Sequence, residues 1–120
     1  MVSNYSNDHK TLTSTEKKAL EICGKFQKLT KVLGIDLTSN IRENSKDLVI
    51  LYKMRSIMDE LAKILPKHEV IDKRTNKTIG ELYDNEYVGN VMLATNIEIN
   101  SRIRHTEWHI QKISCSKLIL

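Results

Sequence analysis

Apolar residues recur at steps of three and four along three separate stretches of the chain, the rhythm of helices that bury one face. In the first stretch Ala19, Ile22, Cys23, Phe26, Leu29 and Leu33 form one stripe, while Lys17, Glu21, Lys25, Lys28 and Lys31 fall on the remaining surface. Thr13-Ser14-Thr15-Glu16 stands at its head as a capping box, in which the Thr13 hydroxyl takes the Glu16 amide and the Glu16 carboxylate reaches back. Gly34 closes the stretch as a C-terminal glycine cap, so the pattern predicts a helix over 14–33.

The second stretch carries Leu48, Ile50, Leu51, Met54, Ile57, Met58, Leu61, Ala62, Ile64 and Leu65. On a helical wheel all but Leu48 fall within roughly 160°, an arc wide enough for the central helix of a bundle. Asn40 with Glu43 three residues on, or Ser45, supplies the start. Pro66 supplies the stop, because it lacks an amide and disfavours helix at the residue before it.

Over 69–83 the period shortens. EVID and TIGEL are rich in β-branched residues and flank the turn-prone KRTNK, which predicts a β-hairpin. A lone hairpin is marginal in water, so Val70, Ile79 and Leu82 are expected to pack it against the helices. Asp84 or Asn85 then caps a third helix, in which Val88, Met92, Ile99, Ile103, Ile110 and Ile113 keep a heptad-like rhythm with Thr95 and Thr106 in the missing places. The spacing predicts about 30 continuous helical residues. NIEINSRI also alternates like a strand, which makes 96–100 the place where a break is expected if there is one.

The elements fit one domain, since 120 residues suffice for a hydrophobic core without a staple. Residues 1–12 are polar and aperiodic and read as a mobile tail, leaving 13–120 as the folded unit. Only 5% of the chain is aromatic, so the core must be aliphatic. The expected architecture is mainly α: a three-helix bundle with a small β-hairpin between helices 2 and 3.

Charge and cysteine usage narrow the class without choosing a partner. A net charge of +4, from 19 basic and 15 acidic residues, gives mild attraction to nucleic acid, anionic lipid or an acidic protein. Cys23 and Cys115 form neither a CxxC nor a ligand cluster, and the N-terminus lacks the apolar core of a signal peptide. Both thiols therefore read as reduced, in an intracellular protein of the cytoplasm or nucleus. The longest apolar run, LVILY at 48–52, is far short of the roughly 20 residues that span a bilayer, so no membrane partner is expected.

Candidate chemistry is sparse. The chain has no glycine-rich phosphate loop, no GxSxG elbow and no cysteine framed by a histidine, so neither an enzyme nor a cofactor nor a small-molecule substrate is expected. His105 and His109 are four apart, but HTEWH is not HExxH: Glu107 stands two residues from each and points away, so no metal is expected.

What remains is 100–114, where Trp108, the only tryptophan, falls opposite the isoleucine stripe and one turn from Arg104, His105 and Lys112. Arg104, His105, Trp108 and Lys112 are the candidate partner-binding residues, an indole anchor among cations. In a purely structural role, Trp108 would instead cover the edge of the hairpin or of a neighbouring helix, with Arg104 lying over the ring as a cation–π pair. Lys73, Arg74 and Lys77 on the hairpin tip, with Arg102, are the candidate nucleic-acid contacts.

The leading expectation is a small regulatory protein that binds through its long C-terminal helix, by self-association or by docking on a larger partner. About 30 residues exceed what two shorter helices cover. The alternative is a nucleic-acid-binding regulator that uses the hairpin tip and a strip of Arg102, Arg104, Trp108 and Lys112.

Overall fold

The computed structural model describes residues 12–35 and 40–119, with side chains as far as Cys115. It is mainly α. Helices α1 (Ser14–Leu29) and α2 (Ile41–Ile64) are followed by the hairpin strands β1 (Lys67–Asp72) and β2 (Lys77–Tyr83), and then by the long helix α3 (Glu86–Ile119). The expected tail falls on residues 1–11, outside the described residues, except that Leu12 is half-buried against the core.

Local chemistry sets the helix starts. The Thr13 capping box is complete, with the Glu16 amide donating to Thr13 Oγ1 at 3.1 Å and the Thr13 amide to Glu16 Oε1 at 2.8 Å. Asn40, not Ser45, caps α2 by accepting the Glu43 amide at 3.3 Å. Asn85 caps α3 by accepting the Val88 amide at 3.1 Å. At the end of α2, Leu65 before Pro66 leaves the helical region with ψ at 142°.

The first helix ends at Leu29, earlier than the expected 33. The Thr30 hydroxyl donates to the Gln27 carbonyl at 2.9 Å, and the next three amides turn back to Lys28 and Leu29, so the last apolar positions lie on a tightened turn. Gly34 then takes φ of +68°, and its amide donates to Asp47 Oδ2 at 2.9 Å, which ties this turn to α2.

The central helix is α3, not α2. It packs against both other helices, which scarcely meet each other. Its buried stripe is Val88, Met92, Thr95, Ile99, Ile103 and Thr106, with Ile110 and Ile113 half-buried beyond. Thr95 and Thr106 satisfy their hydroxyls by donating back to the Val91 and Arg102 carbonyls at 2.8 and 2.7 Å. Burial of this stripe overrides the strand-like alternation of NIEINSRI, and α3 runs without a break through 96–100.

From α1 come Ala19, Cys23 and Phe26, and from α2 Leu51, Met54, Met58 and Leu61, joined by Leu65 just past its end. Cys23 Sγ lies 3.6 Å from Met92 Sδ, and burial pushes its thiol above the ordinary range, with the Thr95 hydrogen bond opposing. The wide apolar arc of α2 overstates its burial, because Ile50, Ile57 and Ile64 face solvent.

The hairpin pairs Lys67 with Tyr83 through Asp72 with Lys77, with one irregularity at Val70 and Ile71. Asp72 organises the turn: its carboxylate accepts the Arg74 amide at 2.9 Å and its carbonyl accepts the Asn76 amide at 2.7 Å. Val70, Ile79 and Leu82 do not dock the hairpin as expected. Ile79 and Leu82 are 67% and 57% exposed, and Val70 is only half-buried. Most residues across the two strands stay exposed, so the hairpin lays neither face across the helices. The base holds the hairpin: Lys67 Nζ donates to the Ala62 carbonyl, the Asp84 amide donates to the Pro66 carbonyl at 3.0 Å, and the Tyr83 ring lies over Gly89.

Asn76 has φ of +58°, a conformation that glycine and asparagine adopt more readily than branched residues. Asn76→Val is therefore expected to destabilise the turn by about 1–2 kcal/mol, while Asn76→Gly leaves it intact. Hydrogen exchange of the strand amides checks this, since faster exchange is expected in Asn76→Val alone.

Candidate interaction surface on the third helix

With 34 residues at a rise of 1.5 Å, α3 is about 51 Å long, against about 36 Å for the 24 residues of α2. Its outer side carries a second stripe. Leu93, Ile97 and Trp108 are 60%, 58% and 56% exposed, and Arg104 and Lys112 continue the same line at helical spacing. Two apolar stripes on one helix, with one buried in its own chain, define the site.

A furrow between α2 and α3 runs beside the outer stripe. One hollow of about 410 Å³ is lined by Leu48, Arg104, Glu107, Trp108, Ile110 and Gln111. The adjoining one, of about 360 Å³, is lined by Arg55, Ile97, Asn100, Ile103, Arg104 and Glu107. Arg104 and Glu107 belong to both, so the furrow extends from Ile97 towards Gln111.

Its wall is pinned by Tyr52, whose hydroxyl donates to Glu107 Oε2, with the Arg55 guanidinium 5.1 Å from the Tyr52 ring centre. The Glu107 hydrogen bond holds the Tyr52 hydroxyl protonated above its ordinary value of 10.0; burial and the Glu107 charge add to this, and Arg55 opposes it. A raised value in the folded chain means that this pair stabilises the fold below the ordinary tyrosine range, and that the contribution is lost as pH rises through the raised value. The thermal midpoint of the native chain is thus expected to fall more steeply above pH 10 than that of Tyr52→Phe. Equal alkaline slopes would show that the pair does not couple folding to this proton.

The sequence-predicted site residues separate into two groups. Arg104, His105, Trp108 and Lys112 are all exposed, with Arg104, Trp108 and Lys112 in one line and His105 beside it. The cation over the indole is Lys112, 5.0 Å from the ring centre, not Arg104. Helical side chains lean towards the N-terminus, so the residue one turn later reaches back over the ring while Arg104 leans away into the furrow. Glu107 points away from a histidine-centred site, as expected, and is engaged by Tyr52. Among the described residues no group of three or more His, Cys, Asp or Glu is placed to hold a metal.

Arg102 does not belong to the strip. It is half-buried, and its carbonyl, which accepts the Thr106 hydroxyl, sits beside the Gly34 turn on the α1 side. Lys73, Arg74 and Lys77 are exposed on the hairpin tip. The hairpin base meets α3 at Gly89, nineteen residues or about 29 Å along the axis from Trp108.

Sequence reasoning missed Leu93 and Ile97, although their phase was readable: Ile97 precedes Trp108 by eleven residues, about three turns. The Tyr52–Glu107 pair left no sequence signal, because its members are 55 residues apart. Among the described residues no helix is long and apolar enough to cross a membrane. No family model, no curated protein and no solved structure matches this chain.

Proposed function

We propose that the chain is a small non-enzymatic binding protein that acts through the outer face of α3, by self-association or by docking on a larger partner. The observation that carries this reading is the second apolar stripe, Leu93, Ile97 and Trp108, on a helix whose other stripe fills the core. Covering a large apolar side chain releases roughly 1.5–3 kcal/mol, and an indole flanked by arginine and lysine is the composition of an interface anchor. An intracellular setting suits a chain with an exposed free thiol at Cys115. The nucleic-acid reading has less support, because the hairpin-tip cations and the cations of the α3 strip stand apart, the hairpin base meeting α3 at Gly89, far along the helix from Trp108.

The double variant Ile97→Glu/Trp108→Glu tests the reading. Both positions are exposed, so helical content and thermal midpoint are expected to stay near those of the native chain in dilute solution. Association is expected to be lost, whether with itself in sedimentation or with other proteins in affinity capture read by mass spectrometry. The reading fails if native and variant chains behave alike in both assays.

A further inference from the structure

We infer that the partner of this face is a second copy of the chain, seated antiparallel about a two-fold axis near Ser101. The inference rests on the preceding reading and names its partner. Its first support is the charge order along α3. Between Glu86 and Ile99 the charged side chains are Glu86 and Glu98, with no cation. The second half of the face presents Arg104 and Lys112, while its one acid, Glu107, is engaged by Tyr52. Antiparallel pairing sets the acidic half of each copy against the basic half of the other; parallel pairing sets like charge on like.

The apolar residues follow the same order. Leu93 and Ile97 lie in the first half and Trp108 in the second, and midway between them is Ser101, small and exposed on this face. An axis through Ser101 lays each indole over the partner's Leu93 and Ile97, twice by symmetry, with a small side chain where the helices cross. Any acidic apolar helix would suit half of the surface, whereas a copy of the chain complements both halves at once and closes as a dimer. One face of a helix about 51 Å long and 10–12 Å wide offers on the order of 500 Å², below the roughly 800 Å² per partner of a standard interface. The dimer should therefore dissociate in the micromolar range.

The test combines sedimentation equilibrium with cysteine cross-linking of the full chain in a Cys115→Ser background, where the remaining native thiol, Cys23, is buried. The native chain is expected to show a concentration-dependent monomer–dimer equilibrium, and Arg104→Glu to raise the dissociation constant about tenfold or more. Under mild oxidation Ser101→Cys is expected to form a linked dimer, because the axis places this residue beside its own copy. Asn90→Cys, exposed on the same face but far from the axis, is expected not to link to itself. Equal linking at both positions would mean a parallel pair and overturn the proposal. A dimer that survives Trp108→Glu would place the contact elsewhere, with the same consequence. A chain that stays monomeric into the hundreds of micromolar, yet captures another protein that Ile97→Glu/Trp108→Glu does not, would end the self-pairing while leaving the interaction face standing. A monomer that captures nothing in a face-dependent way would end both.

Discussion

Gly34→Ala is expected to lower stability by about 2–5 kcal/mol, combining a left-handed backbone penalty of about 1–2 kcal/mol with overpacking of about 1–3 kcal/mol. The residue has φ of +68°, and an added Cβ would stand 2.5 Å from Thr106 Oγ1 and 3.6 Å from Leu51 Cδ1. Neither neighbour yields easily. Both are fully buried, and the Thr106 hydroxyl is committed to the Arg102 carbonyl at 2.7 Å. All three helices meet at this turn, since the Gly34 amide also binds Asp47 of α2. Urea unfolding checks the loss, and Thr106→Ala in the same chain, which removes the struck oxygen, should return part of it. A loss under about 0.5 kcal/mol for Gly34→Ala, the scale of an ordinary surface change, would show that the turn shifts freely.

The second large effect separates the two faces of α3. Ile99 is fully buried, so Ile99→Ala leaves a cavity among the core side chains and is expected to cost about 2–5 kcal/mol. That is a large share of the 5–15 kcal/mol that holds a domain together. Ile97, two residues away and 58% exposed, should lose no more than about 0.5 kcal/mol on the same substitution in dilute solution. The pair of urea curves measures the contrast, and equal losses would place Ile97 inside its own chain.

The parts of this structure that were legible in the sequence are those whose causes lie within about a turn of chain. The caps at Thr13, Asn40 and Asn85 each join a side chain to an amide three residues on, and Pro66 stops α2 through its own ring. The core stripe of α3 was legible because a heptad rhythm accumulates over many residues, which outweighed a few strand-like positions.

What was not legible depends on where elements go. Apolar residues on α2 mark what a helix is able to bury, not how many neighbours it meets, so the central position went to α3 while Ile57 and Ile64 stayed in water. The hairpin's Ile79 and Leu82 read as docking residues, yet both stay exposed, because the alternation within a hairpin does not say which neighbour its faces meet.

The site divides in the same way. Trp108 lies outside the core because of its phase relative to Ile99 and Ile103, which spacing reveals. Its cation is Lys112 because of side-chain lean, which a wheel does not show. Arg102 shares composition with Arg104 but sits on another side of the helix, against the turn at Gly34.

The central claim is that Trp108 is open in the single chain and covered in its complex, and the lone indole reports this directly through its fluorescence. The emission maximum and its quenching by acrylamide, followed over a dilution series of the native chain, are the measurement. Red, readily quenched emission at low concentration, turning blue and protected as the dimer forms, is the predicted result. Blue, protected emission at every dilution would bury Trp108 in its own chain and contradict the claim, and red, quenchable emission at every concentration would contradict the self-paired form of it.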